Sequence, residues 1–459
     1  MKEKYIRLIR IIIIILLLLL AFLIRIVPIR MSHFWDETVY LQHAEIFFSG
    51  RDNFNEFSFR PPLLSLLFFL GFFIKHSVVT ASVITAGLGA LAGLFIFLIG
   101  KKLYGFKVGI IAGLIYTFVP FMTLNSNYLL TDVPSITFMA ISFYLSLFKD
   151  KKFLLFLGGV FFSFSILMKF TVILLGPIFI LYFVIRKFKL NEIFLFFLGA
   201  FIAIFPYLLW AQIKLGNFLT PFIQGQGMVS DFNEPKFFYY FNLNKAFSFL
   251  TLVGLGLFLI FTIIKVKSKE YKHWKRDLLM LAWIAIFLLY LTKTPHKELR
   301  YLLPITIPII LLASCGIASF IEKVKKPYKV VIWILFIISL LYLASSTYAW
   351  DNMKRGMFVD YTITDEMKIA DYLKETNYTG IIYSNQRWPV LAYYTGLETR
   401  LLFPYGAGFY SNISGIMKNN GLLIGMFGVK EPQPVWLDKD KHFKYVYEIG
   451  EFFIYNYTV

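Results

Sequence analysis

Four polar stretches interrupt a strongly apolar chain, and each holds side chains that chemistry can use. Asp36 and Glu37 are adjacent carboxylates just beyond the first apolar run. Arg60 precedes Pro61 and Pro62, and Asp132 stands before Val133 and Pro134. His296, Lys297, Glu298, Arg300 and Tyr301 share one run of six residues. Charges this close to hydrocarbon are costly to desolvate, so each marks a place where chemistry is expected. A carboxylate takes the proton of an attacking hydroxyl. Guanidinium and ammonium groups receive a departing phosphate, Arg by a two-pronged contact and Lys as a point charge. Acids and cations on one side of a membrane suit transfer of a sugar from a polyprenyl phosphate, by direct displacement at the anomeric carbon with inversion. On this reading Asp36 is the general base, and Glu37 and Asp132 orient sugar or acceptor. Arg60, His296, Lys297 and Arg300 receive the phosphate, while Glu298 and Tyr301 orient the substrate. A divalent cation (Mg, Mn or Zn) held by Asp36 and Asp132 is the other use of those two carboxylates. Plainer roles exist for all of them. Asp36 and Glu37 suit the first turn of a helix, Arg60 suits snorkelling to lipid phosphate, and Lys297 and Arg300 suit interfacial anchoring. His33 and His43 are expected to be structural, and Lys169 to mark a turn between two helices.

The elements that must position these residues follow from composition. The chain has 459 residues, of which 58% are hydrophobic and 19% aromatic, with a mean hydropathy of +0.68. A soluble protein is only about half apolar, so this chain is expected to be a polytopic α-helical membrane protein. With about 20 residues per crossing, eleven helices are expected, near 9–29, 78–100, 107–125, 133–148, 153–168, 170–185, 191–210, 247–265, 278–292, 302–321 and 330–349. The basic flanks at 149–152 and 186–189 belong on one side, which requires an even number of crossings between them and a break at Lys169.

The net charge of +19 raises the question of nucleic acid. Its distribution answers it. The segments 1–10, 101–107, 149–152, 186–189, 265–276 and 322–329 hold 23 of the 46 Lys and Arg in 45 residues. That enrichment on alternate loops is the positive-inside pattern. It predicts a cytoplasmic N-terminus, an uncleaved signal anchor, and an outward position for the loop 30–77 and everything after 350. No nucleic-acid partner is needed. Residues 1–350 are read as the transmembrane domain and 351–459 as an extracytoplasmic α/β domain, with helices at 365–376 and 389–395, strands at 380–384 and 399–403, and a hairpin around Gly450. The apolar run 63–74 is too short to cross and reads as an interfacial helix. Cys315 is the sole cysteine, so no internal disulfide can form. Asn377, Asn412 and Asn456 open N-x-S/T sequons.

The order of these motifs resembles a known family. A first span, WDE at 35–37, RPPL at 60–63, D-x-P at 132–134 and HKELRYLLPI at 296–305 are similar to the polyprenyl-phosphate-sugar-dependent glycosyltransferases of the GT-C superfamily. Within it, glycosyltransferase family 39 is the nearest likeness, with its protein O-mannosyltransferases and bacterial aminoarabinose transferases. The resemblance spans roughly residues 1–350. It implies a GT-C fold and a dolichyl- or undecaprenyl-phosphate sugar donor, with a lipid, glycan or protein acceptor. It also implies the catalytic acid at Asp36, its neighbour at Glu37, a second-loop acid at Asp132, and phosphate contacts from Arg60 and the HKELR run. No MIR-like repeats are present, which weighs against a protein acceptor, and the WWD signature of oligosaccharyltransferases is absent. Oligomeric state is not legible. Two other classes are expected to compete: a secondary transporter, and a non-catalytic envelope assembly or binding protein.

Overall fold

Each long apolar run becomes a helix, because backbone polar groups in hydrocarbon must bond within their own segment. The computed structural model describes residues 2–49, 60–227, 234–268, 274–355, 357, 359–402, 417–426, 437 and 440–459. In chain order the first helices are α1 (Lys2–Ile26), α2 (Trp35–Ser49), α3 (Leu63–Phe72), α4 (Val78–Tyr104), α5 (Phe106–Phe118), α6 (Pro120–Asn127) and α7 (Asp132–Ser146). They are followed by α8 (Lys152–Met168), α9 (Leu175–Ile185), α10 (Leu190–Leu215), α11 (Thr220–Gly227), α12 (Phe238–Ala246) and α13 (Phe249–Lys267). The last are α14 (Trp274–Lys293), α15 (Thr306–Lys323), α16 (Lys326–Ser345), α17 (Tyr348–Lys354), α18 (Asp365–Glu375) and α19 (Trp388–Thr395). Among the described residues five helical stretches are long and apolar enough to cross a bilayer alone: α4, α10, α13, α16 and Leu299–Lys323. A sixth, α5 with α6, is bent by 57°, and shorter apolar helices fill 11–26, 152–168 and 170–185. The chain is a polytopic helical membrane protein carrying a C-terminal α/β fold.

The residues divide into two compact units: 1–29, 58–64 and 79–358 in the first, and 30–57, 65–78 and 359–459 in the second. In the first unit, helices approach closely at small residues, as expected where lipid supplies no hydrophobic drive between helices. A Cβ on Gly159 of α8 would stand 1.8 Å from the Phe196 carbonyl of α10, and one on Gly199 of α10 would stand 2.2 Å from the Phe156 carbonyl. Gly254 of α13 and Gly316 of α15 form a second such pair. Between the helices, Phe143, Phe162, Phe179, Phe183, Phe196 and Trp283 pack as a buried aromatic core. The break expected at Lys169 is present. That residue is extended, at φ −153° and ψ 110°, between α8 and a 3-10 turn over Phe170–Leu174. The flanking basic segments meet, with Lys149 Nζ donating to the Lys187 carbonyl at 2.6 Å.

The second unit is built on a five-stranded sheet of β1 (Ile381–Ser384), β2 (Thr399–Leu401), β3 (Gly421–Met426), β4 (Phe443–Ile449) and β5 (Phe452–Tyr457), in the order β2-β1-β3-β5-β4. β1 runs parallel to both β2 and β3, while β5 pairs antiparallel with β3 and β4. The β4–β5 hairpin turns at Gly450, whose φ of 59° suits glycine. The helix, strand and hairpin positions anticipated from periodicity are all present, and β3 is added to them. The helices α2 and most of α3 belong to this unit, so the segment carrying Asp36 folds with the C-terminal residues. Asn377 is exposed in a left-handed turn and Asn456 is exposed on β5; Asn412 lies outside the described residues.

Candidate active site

Within the membrane unit, three separated stretches bring a charged cluster together. Asp132 opens α7, where the helix N-terminus favours a carboxylate, and it is almost fully buried. Lys169 reaches it from the break after α8, forming an ion pair with Asp132 Oδ1. From the third stretch, Arg300 Nη1 stands 3.8 Å from Asp132 Oδ2. Glu298 caps a 3-10 helix over Leu299–Ile305 and grips Arg300 with both oxygens, at 2.6 Å from Nε and 2.9 Å from Nη2. His296 Nε2 is 2.9 Å from Glu298 Oε1. The Tyr301 hydroxyl is 3.4 Å from the same oxygen, and the Lys169 ammonium sits 4.8 Å over the Tyr301 ring. Two cations and two carboxylates thus interlock beside a histidine and a phenol. Such a paired network holds its guanidinium and ammonium in fixed positions, which is what recognition of a phosphate needs.

Lys169 is the member that reading the chain missed as a site residue. A lone lysine inside an apolar run was the signal, since an intramembrane ionisable group is a functional candidate by default. It does mark a helix break, as expected, and it also supplies the principal cation on Asp132. Lys297, in the same stretch as Arg300, is held by backbone carbonyls. It is 5% exposed, and its ammonium donates to the carbonyls of Thr294 at 2.6 Å and Glu234 at 3.2 Å. Those two bonds tie Lys297 to the local backbone. Arg60 lies partly exposed, directly ahead of α3.

The second unit holds the other pair of carboxylates, and the two differ. Glu37 is completely buried. Its oxygens take Arg30 Nη1 at 3.0 and 3.2 Å and the Phe34 N–H at 3.0 Å, and His33 Nδ1 lies 3.8 Å away. A glutamate bonding the backbone at the helix cap is half of a capping box. Glu37 therefore anchors the start of α2. Asp36, one residue earlier on the helix, remains partly exposed. The oxygens of Asp132 face two cations, Lys169 and Arg300. Among the described residues no three His, Cys, Asp or Glu side chains group as ligands.

Comparison with known proteins adds to this geometry. The family model described as dolichyl-phosphate-mannose-protein mannosyltransferase matches residues 60–210, and that of the Alg9-like mannosyltransferase family matches 228–384. The fold is similar to that of ArnT from Cupriavidus metallidurans bound to undecaprenyl phosphate, at 12% identity, 97% of each chain covered and a TM-score of 0.69. The chain is a glycosyltransferase of the GT-C superfamily. The glycosyltransferase is also similar to the Archaeoglobus fulgidus oligosaccharyltransferase AglB in complex with an inhibitory peptide and a dolichol-phosphate. That likeness has 11% identity, covers 92% of this chain and 69% of AglB, and has a TM-score of 0.62. No curated protein sequence matches it. Both family models describe sugar transferases, which sets aside the transporter and assembly-protein readings. Asp132 and Lys169 fall in the first matched region of the glycosyltransferase and His296 to Tyr301 in the second, whereas Asp36 and Glu37 lie outside both.

Proposed function

We propose that this glycosyltransferase moves a sugar from a polyprenyl phosphate to an acceptor hydroxyl, with inversion at the anomeric carbon. The observation that carries the proposal is the Asp132–Lys169–Arg300–Glu298 network in the membrane unit, in which Asp132 is buried and its three partners are half-buried. A headgroup phosphate leaving near hydrocarbon needs cations held ready for it, and a preorganised pair is worth far more there than in water. Lys169 and Arg300 fill that role, and Asp132 keeps both in place. Glu298 fixes the orientation of the Arg300 guanidinium through Nε and Nη2. The likeness to ArnT bound to undecaprenyl phosphate and to AglB with a dolichol-phosphate supports a carrier of this class.

Asp36 is the general base. The acceptor oxygen attacks the anomeric carbon, its proton passes to the Asp36 carboxylate, and the bond from that carbon to the phosphate oxygen breaks. The electron pair leaves with the polyprenyl phosphate, whose charge Lys169 and Arg300 then meet. The N-terminus is cytoplasmic and the second unit extracytoplasmic, following the distribution of Lys and Arg. The acceptor is a hydroxyl of a lipid, a glycan or a protein.

The test is a donor panel. Purified protein in nanodiscs is incubated with radiolabelled undecaprenyl- and dolichyl-phosphate sugars and with nucleotide sugars, over lipid, oligosaccharide and peptide acceptors. Consumption of a polyprenyl-phosphate sugar, abolished in Asp36→Asn, is the expected result. Consumption of nucleotide sugars alone would overturn the proposal.

A further inference from the structure

The helix α19 is joined to the segment that carries Asp36 along its whole length. At one end the Tyr394 hydroxyl accepts the His33 N–H at 2.7 Å and lies 3.3 Å from the Met31 carbonyl, to which it donates. Residues 31–34 precede α2 and are neither helix nor strand, so their backbone groups need partners from elsewhere. Further along, Gln42 Nε2 donates to the Pro389 carbonyl at 2.7 Å, and Gln42 is 7% exposed. Between these bonds the Trp35 and Trp388 rings meet edge-on at 6.2 Å, with Val39 packed beside Trp388. The Tyr393 ring meets His33 edge-on at the same separation. Trp35, Val39 and Gln42 are spaced i, i+4, i+7, so they form one stripe of α2. Asp36 follows Trp35 by one residue and is rotated from that stripe by about 100°. Fixing the stripe fixes the direction in which the Asp36 carboxylate leaves the helix. Burial pushes the Tyr394 phenol up to about 12, so it keeps its proton and the bond it donates throughout the neutral range.

We propose that Tyr394 is a positioning residue for Asp36, its hydroxyl setting the start and rotation of α2 so that the carboxylate is presented to the acceptor. This inference rests on the reading of Asp36 as general base. It gives the C-terminal residues a definite task, which is to hold the base in place. A misplacement of about 1 Å costs on the order of a hundredfold in rate, so loss of one bridging hydroxyl falls chiefly on kcat.

The test uses the full-length protein in nanodiscs with the polyprenyl-phosphate sugar identified by the donor panel. Tyr394→Phe keeps the ring and removes both bonds. The expected result is a fall in kcat of about ten- to a hundredfold with the donor KM unchanged. Amide exchange over residues 33–38 should rise by about tenfold, while that of β1 and β3 stays as in the wild type. Tyr378→Phe is the control in the same unit. It loses the bond its hydroxyl donates to the Ile381 carbonyl, away from the segment that carries Asp36, and it should leave kcat unaltered. Faster exchange at 33–38 with full kcat would overturn the proposal, as would lost turnover with exchange unchanged. If Tyr394→Phe yields no folded protein, Gln42→Met cuts the other bond to α19 and must give the same fall in kcat. Full turnover in Asp36→Asn would instead sink the base assignment, whatever the exchange data read.

Discussion

Replacing Lys169 by methionine tests whether the cluster in the membrane unit is chemistry or merely a bridge. The substitution removes the cation paired with Asp132 Oδ1, while that aspartate side chain is only 4% exposed. Removing one partner of a buried pair costs about 3–5 kcal/mol, because the other charge is left desolvated. Arg300 Nη1 still lies 3.8 Å from Asp132 Oδ2, so the lower end, about 3 kcal/mol, is expected. Adding Asp132→Asn removes the orphaned charge, and the double variant should recover most of that loss, since buried pairs add little net stability over neutral groups. Turnover should not recover. Losing a donor aimed at developing charge costs on the order of 10² to 10³ in kcat, and the double variant still lacks it. The assay pairs thermal unfolding in detergent, followed by tryptophan fluorescence, with turnover of the polyprenyl-phosphate sugar. A double variant that is stable and turns over at the wild-type rate would refute the phosphate role of Lys169.

Glu37→Gln should destabilise the start of α2 by about 2–4 kcal/mol, since Arg30 loses a carboxylate that bonds it twice out of water. Proteolysis within 30–49 should speed up accordingly, whereas Asp36→Asn should lose turnover with no such change. The Tyr394 phenol, near 10 when unfolded and about 12 when folded, binds its proton more tightly in the native state. Its contribution is therefore complete below pH 10 and lost as pH rises from 10 to about 12. The stability gap between wild type and Tyr394→Phe should narrow over that window, and a gap unchanged at pH 12 would contradict this. Gly316→Val places a Cβ about where the Gly254 carbonyl oxygen is, 2.0 Å away, and should abolish recovery of monodisperse protein on gel filtration. Gly256→Ala meets nothing within 4 Å and should be silent in the same measurement. Chelation by EDTA should leave turnover intact, because Asp132 faces cations; activity restored only by Mg, Mn or Zn would place an ion on the carboxylates instead.

Much of the architecture was determined by the residues in order. Apolar runs must become helices in lipid because nothing else there satisfies the backbone, so the positions of α4, α10, α13 and α16 could be read directly. The alternation of basic loops called for a break at Lys169, and a break is there. In the second unit the amphipathic period of 365–375 and the hairpin about Gly450 needed only local information. The strand β3 escaped notice because GLLIGM is a short apolar run without alternation, which by itself suits a buried strand or a piece of helix equally.

What the linear chain could not decide is which charge meets which. Lys169 lies 37 residues from Asp132 in sequence, and only the packing of α7 against α8 makes them partners. Asp36 and Glu37 are neighbours of nearly identical chemistry, yet a rotation of about 100° per residue sends one inward to Arg30 and leaves the other partly exposed. Residue type and local periodicity decide what is helix and what dissolves in lipid, because those forces act within a few residues. The roles of individual charges depend on desolvation and on distances of a few ångströms between remote segments, and those exist only once the chain has folded.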